Sequence, residues 1–182
     1  MDCAWQTGEN SSAGFGYNIG IMVESFDLYQ AENGRPAPAF QLPSNRNGLV
    51  DLSFYRSRSN IVLFFASSSN LGNSVRVVNN FSAREDDYWF QNAQVLIVWP
   101  TSKEGLPDES ISPYPILADE TGRIRRKYLD MLPVNQKDGC IIFVLDRFGS
   151  PYAGLIGDDL RGNEIQDEVL GWLDYIGLQC PE

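Results

Sequence analysis

The sequence predicts an α/β fold in which helices flank a central mixed β-sheet. Two unbroken apolar runs, residues 60–66 and 95–99, are typical of strands that are covered on both faces. Apolar residues at helical spacing lie between these runs, which predicts a parallel strand–helix–strand unit with a right-handed crossover. A third apolar run, residues 139–146, turns at 147–150 into a return strand at 152–156, which adds antiparallel strands to the same sheet.

The chain opens with a predicted extension, residues 1–33, ahead of a folded domain at residues 34–182. The extension is rich in Gly, Ser and Asn up to Gly20, and we expect it to be partly irregular. Its last stretch, residues 21–26, is apolar and acidic and is expected to hold one short helix or strand. An aromatic stretch with glycines, residues 13–17, is a candidate for an arm that becomes ordered on a partner.

The folded domain begins with an extended piece at residues 37–43, because residues that precede proline avoid the helical region. A turn then leads into a strand around residues 48–53. Ser53 is expected to cap a short turn at residues 54–58. The first core strand follows directly.

A single helix is predicted between the first two core strands, over residues 74–90, after a polar loop. The second core strand ends at Pro100. Residues 111–117 are predicted to be an extended loop, because they contain Pro113 and Pro115.

Two more helices complete the predicted order. A turn at residues 118–122 opens a helix at 123–129, which precedes the hairpin. An amphipathic helix at residues 163–176 follows the hairpin, and Gly177 stands where a glycine after a helix C-terminus belongs.

The composition excludes several classes of function. The chain has 182 residues and a formal net charge of −10, which argues against a nucleic-acid partner. It contains no histidine, so imidazole metal ligands, histidine acid–base catalysis and Ser–His triads are excluded. One short basic cluster is interpreted as a solvated helix face; its members are Arg123, Arg125, Arg126 and Lys127.

Three cysteines, Cys3, Cys140 and Cys180, are too few and too dispersed for a disulfide scaffold, and their spacing matches no zinc site. We therefore expect no cofactor and no metal. A cluster held by Cys140 or Cys180 of two chains is a weaker alternative. No apolar run is long enough to span a membrane, and the acidic N-terminus does not resemble a signal peptide, so a cytoplasmic location is expected.

Five stretches, in the right order, resemble motifs of the peroxiredoxins, the alkyl hydroperoxide reductase and thiol-specific antioxidant branch of the thioredoxin-like superfamily. They resemble, in turn, G-x-x-A-P-x-F-x-L-P, V-x-L-S-D-Y, the first core strand, F-P-L-L-S-D-x-x-G with a following tyrosine at Tyr128, and F-V-I-D-x-x-G. The stretches are residues 34–43, 49–55, 61–65, 114–122 and 143–149. The resemblance implies a thioredoxin-like fold.

The loop after the first core strand departs from this family. The resemblance implies a reactive cysteine there, at a helix N-terminus that stabilises its thiolate. No cysteine occurs between Cys3 and Cys140. The residues at the corresponding positions are Ser67, Leu71 and Ser74 in the peroxiredoxin register, Asn70 and Asn73 in the C-x-x-C register of related proteins, and Ser69 and Gly72 in the thioredoxin register.

A second departure concerns the arginine that the resemblance implies just before the F-V-I-D strand, where Cys140 stands instead. The sequence therefore predicts a degenerate site with no catalytic residue. The favoured function is a redox-inactive domain that binds a protein partner or acts as a scaffold, and that could also form a homodimer. The alternative is a thiol oxidoreductase that uses a relocated cysteine, Cys140 beside the loop or Cys180 near the C-terminus.

Aromatic residues near two helix ends are expected to lie in the core rather than at an interface. They are residues 88–90, Trp172 and Tyr175.

Overall fold

The core strands and the helices follow one another along the chain largely in the order that the sequence indicates. The structure is a computed structural model that describes residues 23–29, 36–46, 48–135 and 138–179. Its strands are β1 (Val23–Asp27), β2 (Gln41–Pro43), β3 (Leu49–Asp51), β4 (Asn60–Phe65), β5 (Ala93–Trp99), β6 (Ile116–Ala118), β7 (Cys140–Leu145) and β8 (Pro151–Gly157).

The helices connect the strands and cover the sheet. Short 3₁₀ turns also occur at Leu52–Tyr55, Lys103–Gly105 and Glu109–Ile111. The α-helices are α1 (Leu71–Ala83), α2 (Glu85–Phe90), α3 (Arg123–Leu129) and α4 (Asn163–Gln179). None of the described helices is long and apolar enough to cross a membrane.

The main sheet has six strands in the order β1-β8-β7-β4-β5-β6, and β2 and β3 form a separate pair. Strand β4 pairs in parallel with β5, and β5 with β6. Strand β7 runs antiparallel to β4, β8 to β7, and β1 to β8. A mixed sheet between helices is the predicted fold class, which is confirmed.

Each face of the sheet carries its own apolar core. Alternate residues of the central strands point to opposite faces, as Val62 and Leu63 of β4 do. Helices α1, α2 and α4 pack on the Val62 face. Helix α3 packs on the Leu63 face together with the segment around Phe40 and Leu42. Burial on both faces explains why the central strands are continuous apolar runs.

The N-terminal range 1–33 contributes a strand to the main sheet. The sequence left a helix or a strand open at residues 21–26, and β1 lies there, with Val23 opposite Gly157 and Asp27 opposite Ala153 of β8. The candidate arm at residues 13–17 lies outside the described residues. The sheet therefore begins within the range that was assigned to the extension.

The single helix predicted over residues 74–90 is wrong in two respects. It begins earlier, at Leu71, because the Asn70 side chain accepts a hydrogen bond from the Asn73 amide and caps the helix. It is also two helices, since Arg84, with φ −117° and ψ 27°, leaves the helical conformation between α1 and α2.

Three other local predictions are corrected. Residues 111–117 are not only a loop, because β6 begins at Ile116 and pairs with β5. Asp51, not Ser53, caps the 3₁₀ turn, and its carboxylate accepts from the Ser53 amide at 2.8 Å. Helix α4 continues beyond residue 176, so Gly177 lies inside it rather than after it.

The prediction that the clustered aromatic residues lie in the core holds for Tyr88, and in part for Trp172, which is partly buried and packs against the core on the Val62 face. Tyr88 is fully buried, and its hydroxyl donates to Gln166 at 2.6 Å. Trp89 and Phe90 are 80% and 83% exposed. Tyr175 is 42% exposed. On a short helix that packs against one layer, neighbouring residues necessarily point in different directions.

Candidate functional site

The loop between β4 and α1 lies beside the first residues of β7. Strands β4 and β7 are hydrogen-bonded neighbours, with Phe65 opposite Ile141. The residues that follow β4 therefore meet those that begin β7. This register brings Ser67 and Ser74 next to Cys140. Ser67 follows β4 and Ser74 lies in α1, so the chain turns from strand to helix between them.

Ser74 is the centre of this arrangement. It is fully buried, and its hydroxyl oxygen accepts a hydrogen bond from the Ser67 amide at 3.0 Å. The same hydroxyl donates to the Asn70 carbonyl at 3.2 Å. The Cys140 sulfur lies 3.5 Å from that oxygen. The Ser74 hydroxyl thus links the loop after β4 to the first turn of α1.

A small polar network continues from the loop towards solvent. The Ser67 and Ser69 hydroxyl oxygens lie 2.9 Å apart. Ser67 also donates to an Asp138 carboxylate oxygen at 3.2 Å, and the Gly139 amide donates to the same oxygen at 2.9 Å. Hydrogen bonds from Ser69, from the Gly139 amide and from Ser67 hold the pKa of Asp138 below its ordinary value. Asp138 is therefore a carboxylate at neutral pH.

Arg125 of α3 reaches into the site from the other face of the sheet. Its guanidinium donates to the Gly139 carbonyl at 2.6 Å and to the Ala66 carbonyl at 3.3 Å. Its backbone amide donates to the Asp119 carboxylate at 2.9 Å, which fixes the start of the helix. Burial lowers the pKa of Arg125, and the nearby acidic groups Asp138, Cys140 and Asp119 oppose that effect. The arginine ties the ends of β4 and β7 together.

The interpretation of the basic cluster as a solvated face is therefore wrong for Arg125. The other three members, Arg123, Arg126 and Lys127, are exposed. Sequence reasoning missed Arg125 because a cluster of four basic residues within five positions does not indicate which of them points inward. It also missed Asp138, whose place directly before Gly139 and the third core strand was the available signal.

The remaining candidate positions do not join the cluster. Asn70 is exposed and caps α1, and Leu71 is 43% exposed. The Asn73 side chain donates to the Asp158 carbonyl at 3.2 Å, towards the loop before α4. Cys180 lies outside the described residues. Among the residues that the structure describes, no group of Cys, Asp and Glu side chains could hold a metal ion.

Burial raises the pKa of the Cys140 thiol, and the Ser74 hydroxyl, the Ser67 backbone and Arg125 only partly offset that effect. The side chain is fully buried. Reactive cysteines have the opposite character, with a lowered pKa and access to solvent. The environment of Cys140 is that of a structural thiol.

This burial predicts a pH dependence of stability. Above about pH 8.5 an unfolded cysteine loses its proton, whereas folded Cys140 keeps it until the pH reaches its raised pKa. The native state then binds more protons, so the free energy of unfolding falls as the pH rises, by up to about 1.4 kcal/mol per pH unit. Urea unfolding of the wild type and of Cys140→Ala between pH 7 and 10 measures the difference.

We expect the wild type to lose stability in this range more steeply than Cys140→Ala does. Burial also raises the pKa of Tyr88, Tyr114 and Tyr128. Unfolded tyrosines ionise around pH 10, and both proteins contain them, so their effect is common to the two profiles. If the free energy of unfolding depends on pH equally in the two proteins, the pKa of the folded Cys140 thiol is not raised.

The mixed sheet flanked by helices is a thioredoxin-like α/β fold. No protein-family model matches the sequence, and no curated protein matches it.

Solved structures do share the fold. Thioredoxin peroxidase I of Plasmodium yoelii is 20% identical, with a TM-score of 0.65 over 81% of this chain and 95% of that chain. Peroxidoxin BcpB of Mycobacterium tuberculosis is 17% identical, with a TM-score of 0.64 over 79% and 96%. A thiol:disulfide interchange protein DsbE of Chlorobium tepidum is 24% identical, with a TM-score of 0.60 over 77% and 96%. At these identities the likeness shows the fold alone.

Proposed function

We propose that this chain is a peroxiredoxin-like domain without a catalytic cysteine, and that it serves as a protein-binding or scaffold subunit of a larger assembly. The observation that supports this most strongly is the state of Ser74, at the start of α1. Its buried hydroxyl is engaged by the Ser67 amide, the Asn70 carbonyl and the Cys140 thiol. A hydroxyl that is buried and hydrogen-bonded in this way contributes to the packing of the loop against α1.

The chemistry of the loop supports the same proposal. A serine hydroxyl needs an adjacent general base before it can act as a nucleophile. The chain has no histidine, and the carboxylate of the loop network, Asp138, bonds to Ser67 and to the Gly139 amide. The positive charge of Arg125 is directed at two carbonyl oxygens instead of at open space. Among the described residues of this loop, the Ser74 hydroxyl has no adjacent base, and the Arg125 guanidinium is already engaged.

A thiol oxidoreductase that uses Cys140 or Cys180 is the second candidate. The contact between the Cys140 sulfur and Ser74, at 3.5 Å, favours it, because this thiol lies at the loop where the resemblance implies catalysis. Its burial and raised pKa oppose it, since the thiolate is the reactive form. We therefore prefer the first candidate.

Thiol-dependent turnover of hydrogen peroxide and of a disulfide decides between the two. We expect no turnover above buffer for the full-length wild type or for a Cys3→Ala/Cys140→Ala/Cys180→Ala variant. A known peroxiredoxin in the same assay is the positive control. Because Cys140 is in the core, circular dichroism must show that the triple variant is folded.

Turnover by the wild type that disappears in the folded triple variant would contradict the redox-inactive proposal. Single Cys140→Ala and Cys180→Ala variants would then identify the thiol responsible. If the triple variant is unfolded, alkylation of the native wild type with iodoacetamide provides the same answer. Turnover that survives complete labelling of the accessible thiols and is lost on labelling in urea would assign the activity to the buried Cys140.

A further inference from the structure

Three of the most exposed large apolar side chains of the described residues lie on α2 and at the end of α4. Trp89 is 80% exposed, Phe90 is 83% exposed and Leu178 is 79% exposed. Residues of the two helices meet in a shallow depression, where Phe90 and Gln91 face Asp174, and the Gln91 amide donates to the Asp174 carboxylate. Leu178 follows Asp174 by one turn of α4. We call these three residues the α2–α4 patch.

The outward direction of the two aromatic residues is fixed by their neighbour. Tyr88 is fully buried, packs against Phe81 with ring centroids 5.5 Å apart, and donates to Gln166 of α4. This anchoring sets the rotation of α2 and leaves Trp89 and Phe90 on the solvent side. A solvent-facing tryptophan contributes little to the stability of its own fold, whereas tryptophan is the residue most enriched at the energetic centres of interfaces. The patch therefore has the composition of a binding surface.

The patch is bordered by acidic side chains. Glu85 and Asp86 are exposed and lie one turn before Trp89 and Phe90 on the same helix. Asp174 lines the same depression as Phe90. The cation of this border, Arg84, already bonds to Asp87 at 2.7 Å and to Asp167 at 2.5 Å. Glu85 and Asp86 therefore add negative charge one turn before the aromatic pair.

We propose that the α2–α4 patch docks a basic segment of a partner protein in which arginine or lysine alternates with apolar side chains. A guanidinium stacks on the exposed Trp89 ring by cation–π attraction, which is strongest for tryptophan. Apolar side chains cover Phe90 and Leu178, and the remaining cations meet Glu85 and Asp86. The proposal rests on the protein-binding function proposed above and names the chemistry of the partner.

The acidic charge of the chain favours a basic segment over a second copy of the chain or an anionic membrane. A second copy of the chain would bring the same acidic border against itself, and each copy has a net charge of −10. An anionic membrane would be repelled in the same way. A basic and apolar segment satisfies both the aromatic surface and the carboxylates, because complementary potentials favour encounter and specificity.

The test measures binding of fluorescein-labelled synthetic peptides to the full-length protein by anisotropy. One peptide alternates arginine and leucine, a second has serine in place of leucine, and a third has glutamate in place of arginine. The variants are Trp89→Ser/Phe90→Ser and Glu85→Gln/Asp86→Asn. Matched controls are Phe54→Ser, which removes a 63% exposed aromatic residue elsewhere, and Glu104→Gln/Glu109→Gln, which removes two remote exposed charges.

We expect the arginine–leucine peptide alone to bind well. The aromatic double variant should weaken its affinity about tenfold or more, as loss of a central aromatic anchor does. The Glu85→Gln/Asp86→Asn variant should weaken it several-fold and reduce its dependence on salt. Both controls should bind within about twofold of the wild type. The urea midpoint of each variant verifies that it is folded.

Three results would overturn the proposal: no binding of the arginine–leucine peptide, equal binding of the arginine–serine peptide, or equal losses in the control variants. Sedimentation that shows a dimer of the wild type and a monomer of Trp89→Ser/Phe90→Ser would also overturn it, in favour of a second copy. The turnover assay is independent of these results. If the arginine–leucine peptide binds and the protein also shows thiol turnover, the docking proposal stands and the redox-inactive scaffold function is rejected. If the protein shows neither, the scaffold function stands and the docking proposal is rejected.

Discussion

Replacing Tyr128 by alanine is expected to lower the free energy of unfolding by about 3–5 kcal/mol, the usual loss for a buried aromatic residue truncated to alanine. Tyr128 of α3 is fully buried. Its ring lies 5.1 Å from Phe65 of β4 and 5.1 Å from Phe143 of β7, centroid to centroid, and 6.3 Å from Phe40. Its hydroxyl donates to the Pro38 carbonyl at 2.9 Å. One side chain thus joins α3, two central strands and the segment before β2.

Urea unfolding of Tyr128→Ala and two companion variants separates the contributions. Tyr128→Phe keeps the ring packing and removes only the hydrogen bond to Pro38, so it should cost about 0.5–1.5 kcal/mol. Phe54→Ala truncates an aromatic side chain that is 63% exposed, and it should cost less than about 1 kcal/mol. A loss below about 2 kcal/mol in Tyr128→Ala would mean that α3 is not held by this cluster.

The parts of the fold that sequence could predict are those whose signal is local and strong. Strands β4, β5 and β7 are continuous apolar runs, and such runs identify strands that are buried on both faces. The three-residue strand β6 carries too little pattern to be recognised, and Pro115 beside it favoured a loop. The break at Arg84 depends on how α1 and α2 pack on the sheet, which periodicity alone does not report.

The site could be predicted only where neighbouring strands define it. The resemblance predicted that Cys140 lies near the loop, and the pairing of β4 with β7 brings it there. The contribution of Arg125 comes from an element on the other face of the sheet, so it depends on the tertiary arrangement. The exposure of Trp89 likewise depends on the rotation of α2, which Tyr88 fixes. As aromatic residues, Tyr88 and Trp89 were both expected in the core.

Replacing Arg125 by methionine is expected to lower the free energy of unfolding by about 2–4 kcal/mol, because two buried carbonyl acceptors lose a charged donor. Those acceptors belong to Ala66 and Gly139, which are both buried. Methionine keeps the aliphatic length, so the loss reports the guanidinium rather than the stem. The variant should also raise the pKa of Cys140 further, since the positive charge of Arg125 lowers it at present.

Arg125→Lys distinguishes geometry from charge. An ammonium group lacks the planar fork that lets the guanidinium donate to two carbonyls in different directions, so this variant should recover only part of the lost stability. Arg126→Met, an exposed neighbour on α3, is the matched control and should change the free energy of unfolding by less than about 0.5 kcal/mol. If Arg125→Met unfolds at the same urea concentration as Arg126→Met, the arginine does not hold β4 and β7 together. Its charge would then be free for a ligand at the loop, which would favour the catalytic alternative.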